Sequence, residues 1–221
     1  MHTNSIRSFQ HPGGLVQRLA VADLLVGSGE AFRALIPSPG ILVYSDPPWN
    51  PGNEKWWRRH ARAEPPIAYD QLLDAWCNCV AACCPRDVFC EQSFNAKHRS
   101  LFIDAVARCP GWQLPLLKEW TVYYGSPGSR SCLRPNALLH FGSIPLTTDP
   151  SGLSGEAMTQ RVFDGLALPS GTYVADPCMG KGMTSRQAHK HGCHCFGTEL
   201  NAARLDYAIK WLLKNGYTEV L

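Results

Sequence analysis

A strand that runs straight into two consecutive prolines constrains this chain more than any other feature. In Ile41-Leu42-Val43-Tyr44-Ser45-Asp46-Pro47-Pro48-Trp49-Asn50, four apolar residues read as a short buried strand, and the Asp-Pro-Pro-Trp turn carries the chain out of its C-terminal end. Ligands of open α/β sheets bind outside the carboxyl ends of strands, so this turn is a candidate site. Its chemistry is selective. Pro47 and Pro48 hold φ at about −65° and supply no N–H, which leaves rigid carbonyl acceptors. Asp46 and the Pro47 carbonyl can each take one N–H of an exocyclic amine on a flat ring, and Trp49 can stack on that ring. The competing reading is a proline-stiffened strand exit with a surface tryptophan.

A second strand and turn of related design stand near the other end of the chain. Tyr173-Val174-Ala175-Asp176-Pro177-Cys178-Met179-Gly180-Lys181-Gly182-Met183-Thr184 precedes a helical pattern, and Cys195-Phe196-Gly197-Thr198-Glu199-Leu200-Asn201 reads as the next strand and its exit. Glycines between a strand and a helix let the backbone approach a ligand closely, and the helix N-terminus presents N–H groups to an anion. A dinucleotide-binding unit would need a third glycine near Arg186 and Gln187, where there is none.

Together the two stretches resemble the S-adenosylmethionine-dependent amino-methyltransferases of nucleic acids. Asp46-Pro47-Pro48-Trp49 resembles that family's Asp/Asn/Ser-Pro-Pro-aromatic signature. The segment from Asp176 is similar to its cofactor motif, Asp-Pro-Phe-x-Gly-x-Gly-Thr, with Glu199 as the acidic residue after the next strand. The order, catalytic motif before cofactor motif, resembles the permuted beta class. Cys178, Lys181 and Met183 depart from the usual Phe, Ser, and Thr or Ala, and no Lys-Pro precedes the cofactor strand, Met158-Thr159 standing near its place. The resemblance implies a Rossmann-like methyltransferase fold, an α/β doubly wound, mostly parallel sheet with an antiparallel hairpin at its edge. It implies S-adenosylmethionine as cofactor, held by Asp46, Asp176, Pro177, Cys178, Gly180, Gly182, Met183, Thr184, Glu199, Leu200 and Asn201. Within that set Asp176 would hold the ammonium directly or through water, Glu199 the ribose hydroxyls, and the N–H groups of the helix N-terminus the methionine carboxylate, while Asp46, Pro47, Pro48 and Trp49 would form the catalytic turn.

Composition sets the bounds. At 221 residues the chain fits one domain with a sizeable core, and 45% hydrophobic with 18% charged residues is ordinary for a globular protein. No apolar run reaches the length of a membrane span, and no apolar stretch follows Met1-His2-Thr3-Asn4-Ser5-Ile6-Arg7, so a cytoplasmic location is expected, in a host cell if the chain is of phage or mobile-element origin. A net charge of +3 does not by itself argue for nucleic acid; local clustering must. Cys77, Cys79, Cys83 and Cys84 fall in a helical pattern, and Cys193 and Cys195 alternate on a strand beside His189, His191 and His194. Neither group has zinc-ribbon spacing, and buried cysteine acts as a small hydrophobe, so no metal is expected.

Read in order, strands and helices alternate. Residues 1–19 read as an irregular arm or short helix, Val21 to Gly27 as a first strand or turn, and Gly29 to Leu35 as a short helix. Residues 50–66 read as a loop, with Asn50-Pro51-Gly52-Asn53 and Pro65-Pro66 at its ends. Inside it Lys55, Trp56, Trp57, Arg58, Arg59 and Arg62 interleave cations with aromatics beside the proline turn. With Asn50 they are candidate nucleic-acid contacts and a lid that orders on binding. Helices are expected over Tyr69–Cys84, Ser100–Cys109, Met158–Leu168, Thr184–Lys190 and Ala202–Asn215. Strands are expected over Asp87–Glu91, Gly111–Leu114, Glu119–Tyr124 and Pro135–Phe141. Arg130 and Arg134, at the turn of the last two, are further candidate phosphate contacts. Residues 142–156 read as a linker between a catalytic-motif half, about 20–141, and a cofactor-motif half, about 157–221.

The expected reaction is methyl transfer to the exocyclic N6 amine of adenine in DNA. Asp at the head of the turn leans towards adenine; N4 of cytosine and adenine in RNA are the alternatives, and a non-catalytic nucleic-acid-binding or regulatory protein that keeps the pocket is a third. The short 142–156 segment leaves no room for a sizeable target-recognition domain, so weak or short sequence specificity, an unusual target context or recognition borrowed from a partner is expected; a homodimer or a specificity partner is the expected assembly.

Overall fold

The computed structural model describes residues 6–25, 41–63, 68–124 and 134–220. Among these residues the strands, in chain order, are β1 (Ile6–Gln10), β2 (Val16–Val21), β3 (Leu42–Ser45), β4 (Asp87–Ser93), β5 (Leu116–Tyr124), β6 (Arg134–Phe141), β7 (Tyr173–Asp176), β8 (His194–Glu199) and β9 (Thr218–Val220). The helices are α1 (Pro51–Ala61), α2 (Tyr69–Ala82), α3 (Ala96–Arg108), α4 (Gly155–Leu166), α5 (Met183–Lys190) and α6 (Ala202–Lys214).

All the strands join one sheet in the order β5-β6-β4-β3-β7-β8-β2-β1-β9. Its centre, β4-β3-β7-β8-β2, is parallel. Antiparallel strands flank it on both sides, β6 and β5 beyond β4 and β1 and β9 beyond β2. The chain leaves β3 towards β4 and leaves β7 towards β8, in opposite directions across the sheet. The β3–β7 pair is therefore the switch point at which such sheets open a crevice.

Alternation along the strands divides two cores. Val43, Val88, Cys90 and Phe196 face α2 and α3, which bury Leu72, Leu73, Trp76, Phe102 and Ala105. Leu42, Tyr44, Phe89, Val174 and Cys195 face the other way, onto Met158, Val162 and Phe163 of α4 and Leu205, Ile209 and Leu212 of α6. Each such side chain contributes about 1.5–3 kcal/mol by leaving water. Val43 with Ala175, and Leu42 with Val174, fix the register of the switch-point pair. A slip of one residue would exchange the two faces.

Three readings of the sequence are corrected. Residues from Ile6 form the β1–β2 hairpin, not an arm or helix; β1 carries a single buried side chain, Phe9, so its alternation is faint. Of the strand or turn expected over Val21–Gly27, the turn is present at Leu24–Leu25, after Val21 ends β2, with the Ala22 N–H bonded to the Glu199 carbonyl. Gly111–Leu114 is no strand: Pro110 and Gly111 turn, and Trp112–Leu114 follow as irregular chain whose Trp112 indole N–H donates to the Leu114 carbonyl. Most of 50–66 is helix α1, taken up below. The expected helix over Gly29–Leu35 and the expected turn over Gly125–Arg130 lie outside the described residues. The 142–156 segment lies along the outer edge of β5, with backbone bonds from Tyr123 to Leu153 and from Gly152 to Thr121 that cover part of an open sheet edge.

Cys77, Cys79 and Cys83 are buried on or just after α2, Cys84 is exposed, and Cys193 and Cys195 are buried around the start of β8. Burial pushes the Cys193 thiol up to about 11. Among the described residues no group of three His, Cys, Asp or Glu side chains is placed to hold a metal, and no helix is long and apolar enough to cross a membrane.

Candidate active site

The proline turn after β3 and the glycine turn after β7 open onto one cleft of about 760 Å³. Asp46, Pro47, Pro48 and Trp49 form one wall and Asp176, Pro177, Cys178, Gly180, Met183 and Thr184 another, with Glu199 and Leu200 beyond them. The cause is the register of β3 on β7, which brings the exits of the two strands side by side.

The proline turn is braced from two sides. The Trp49 indole N–H donates to Asp46 Oδ1 at 2.6 Å, and the Tyr69 hydroxyl donates to the Pro48 carbonyl at 2.8 Å. Trp49 stands edge-on to Tyr124 of β5, ring centroids 4.5 Å apart. Burial raises the Asp46 carboxyl to about 6, against the lowering effects of the Trp49 N–H and the Arg204 guanidinium.

The glycine turn is built around two acids. Asp176 accepts the Thr184 hydroxyl at 2.6 Å and the Cys178 N–H at 2.9 Å, yet burial still lifts it to about 7. Glu199 accepts from the Gly180 N–H at 2.7 Å and the Asn201 N–H at 2.9 Å, and burial raises it too. The Gly180 N–H is therefore engaged by Glu199. Gly182 does not line the cleft. It has φ +80° and its α-carbon faces α6, where an added Cβ would lie 2.5 Å from the Ala208 Cβ. Asn201 caps α6, accepting from the Ala203 and Arg204 N–H groups.

The basic stretch is helix α1. Asn50 accepts the Asn53 N–H at 3.0 Å and Pro51 stands at the first helical position, so composition that reads as a turn is a helix start. Its inner face is charged. Arg58 is 5% exposed, with Nη2 3.0 Å from Asp23 Oδ2 after β2 and Nε 3.5 Å from Glu54 Oε1. Arg58 is thus corrected from an outward phosphate contact to a buried tether of the helix. Lys55, Trp56, Arg59 and Arg62 are exposed, Trp56 stacking on His60 with centroids 3.8 Å apart. Trp57 faces the cleft beneath the Arg204 guanidinium, whose carbon lies 3.8 Å from the ring centroid. The Asn201 amide donates to the His60 carbonyl at 3.2 Å and ties the other end of α1 to the cofactor-motif half. Arg134 opens β6, exposed and outside the cleft wall; Arg130 lies outside the described residues.

Tyr44, Tyr124 and Arg204 line the cleft and escaped the sequence reading, as did Glu91 behind Tyr44. Tyr44 on β3 donates to Glu91 Oε1 of β4 at 2.9 Å and accepts from Thr159 at 3.2 Å. Burial pushes the Glu91 carboxyl well above its usual range, with Asp46 and Asp176 adding to it. The one available signal was a glutamate inside the otherwise buried strand Val88-Phe89-Cys90-Glu91. Arg204 and Tyr124 carried no signal, since an arginine in the first turn of a helix and a tyrosine at a strand end are ordinary surface residues.

No protein-family profile matches the chain, and no curated protein matches its sequence. Solved structures do match. M1.HpyAVI aligns with TM-score 0.62 at 14% identity over 89% of this chain and 98% of its own, and it has also been solved as its SAM complex. TTHA0409 of Thermus thermophilus, assigned as a DNA modification methylase and solved with S-adenosyl-L-methionine, aligns with TM-score 0.59 at 16% identity over 90% of this chain and 95% of its own. The PvuII DNA methyltransferase, cytosine-N4-specific, aligns with TM-score 0.56 at 11% identity over 90% of this chain and 88% of its own. The chain has the fold of these DNA methyltransferases.

Proposed function

We propose that this protein transfers a methyl group from S-adenosylmethionine to the exocyclic N6 amine of adenine in DNA. The observation that carries the reading is the single cleft shared by the Asp46 turn and the Asp176–Gly182 turn. The donor would lie along the glycine turn, its ribose hydroxyls on Glu199 and its ammonium near Asp176. The amine lone pair of adenine is conjugated into the ring and is a poor nucleophile. Hydrogen bonds from its two N–H groups to Asp46 and the Pro47 carbonyl would localise that pair on nitrogen. In-line attack would then form the N–C bond as the sulfonium S–C bond breaks and leaves the neutral thioether in the cleft. The aminium proton leaves to Asp46 or to water, and a carboxyl raised to about 6 is well placed to accept it near neutral pH. A base within a duplex would have to be flipped into the cleft, with Trp49 replacing its lost stacking.

The second reading keeps the chemistry and changes the acceptor to N4 of cytosine, favoured by the likeness to a cytosine-N4-specific enzyme, or to adenine in RNA. Incubation with S-adenosylmethionine and DNA or RNA, followed by mass spectrometry of nucleosides, separates these. N6-methyladenine in DNA is the expected product. N4-methylcytosine, or methyladenine in RNA alone, selects the alternatives. Donor binding without any methylated nucleoside selects a non-catalytic nucleic-acid-binding protein.

A further inference from the structure

The charges that line the cleft do not balance, and the imbalance picks out one residue. Arg58 is committed to Asp23 and Glu54. Lys181 sits over the Tyr207 ring at 4.9 Å, and Arg186 is turned to Glu156 and the Lys181 carbonyl. Arg204 is different. Among the described residues it forms no ion pair, and its buried Nε has no hydrogen-bond partner. On one side its guanidinium carbon lies over the Trp57 ring, 3.8 Å from the centroid. On the other it covers the glycine turn, where a Cβ on Gly180 would come within 2.7 Å of Nη2. Asp46 and Glu199 feel its charge.

Resting on the methyl-donor reading, we propose that Arg204 is the anion-binding group of the cleft and takes the carboxylate of the donor's amino-acid end. S-adenosylmethionine carries two cationic groups, the sulfonium and the ammonium, and one carboxylate. Asp46, Asp176 and Glu199 suit the cationic groups and the ribose, and they repel the carboxylate. Arg204 is the cation over the glycine turn, with unfilled N–H donors and a planar fork that matches a carboxylate. The cation–π contact with the Trp57 ring holds the guanidinium in place, so little side-chain freedom is lost on binding. A glycine at 180 leaves the guanidinium its observed place; a Cβ there would make the arginine tip shift. Because Trp57 belongs to α1, the same contact would join donor binding to the helix that carries the exposed cations.

The test compares two ligands that differ in the amino-acid end. Wild type, R204Q and R204K are titrated calorimetrically with S-adenosylmethionine and with 5′-methylthioadenosine, which lacks the carboxylate. R204Q is expected to weaken S-adenosylmethionine roughly 10- to 100-fold, the range of a charge-assisted hydrogen bond, while methylthioadenosine changes less than about twofold. R204K keeps the charge without the fork and should fall between. Retained methylthioadenosine binding shows that the variant is folded. Parallel loss of both ligands in R204Q and in R204K overturns the assignment, because Arg204 then serves the nucleoside or the packing of Trp57. Unchanged binding of both ligands also overturns it. If wild type binds neither ligand, the methyl-donor reading fails instead, a result distinct from either.

Discussion

Asp46 has two oxygens, and among the described residues only one of them accepts a hydrogen bond. Trp49 holds Oδ1 at 2.6 Å, which fixes the plane of the carboxylate and supplies the hydrogen bond that most opposes its rise in pKa. Asp46→Asn keeps the shape and replaces one acceptor oxygen by a donor NH2. It should lower methyl transfer at saturating donor by at least about 10³-fold, a loss typical of removing a preorganised charge-stabilising group, a far larger effect than on calorimetric donor affinity, which loses only the share carried by the Asp46 charge. Turnover near wild type would remove Asp46 from the mechanism. The carboxyl must be ionised to accept both an amine N–H and a proton, so in wild type the rate should fall as pH drops through about 6. In Trp49→Phe the aromatic face remains and the N–H donor is lost, so that acidic limb should move to higher pH. An unmoved limb confines Trp49 to stacking. Asp46, Asp176 and Glu199 were legible in the sequence because each follows a strand at the place where open sheets bind ligands. Glu91 and Arg204 were not, because burial of an acid and exposure of an arginine to a cleft are consequences of packing that no spacing encodes.

Helix α1 shows why one stretch of composition misled and what that costs a prediction. Asn-Pro-Gly-Asn contains four turn-forming residues, yet Asn50 at the N-cap and Pro51 behind it also start helices. An apolar stripe would have decided between the readings, but α1 turns Glu54 and Arg58 inward instead, and a hydrophobic period cannot register a charged interior face. Neighbouring arginines consequently do different work. Arg59→Ala removes an exposed cation and should reduce the slope of log affinity against log salt for nucleic acid by about one, leaving thermal stability nearly unchanged. Arg58→Ala leaves the largely buried Asp23 without its partner. It should cost about 3 kcal/mol or expose residues 51–61 to hydrogen exchange, with little change in salt slope. Equal salt slopes for the two variants would refute this division of labour.

The strand order gathers acids. Parallel strands β4, β3, β7 and β8 stand side by side, and Glu91, Asp46, Asp176 and Glu199 lie on them or at their carboxyl ends, each raised by burial. That the two motifs would end neighbouring strands was readable from their order and from the doubly wound pattern. The second antiparallel edge was not, since β1 and β9 pair across almost the whole chain and local sequence holds no trace of the partner. The clustering has a consequence for donor binding. Below about 6 Asp46 holds a proton, and below about 7 Asp176 does. Both values exceed those of an unfolded chain, so the stability these groups contribute is full below about 4 and is lost as pH rises through 6 to 7. A cationic ligand has the opposite preference, because it favours the ionised acids and must expel their protons to bind. S-adenosylmethionine affinity should therefore rise with pH from 5.5 to 7.5, by at most about tenfold per pH unit for each proton released, and level off above that window. Calorimetry in buffers of differing ionisation enthalpy reads the proton count directly. Release should be largest between about pH 6 and 7, and Asp176→Asn should remove the share that belongs to position 176. A proton count of zero throughout that range would mean that Asp46 and Asp176 are already ionised before the donor arrives, and that the acids of the cleft meet it without any exchange.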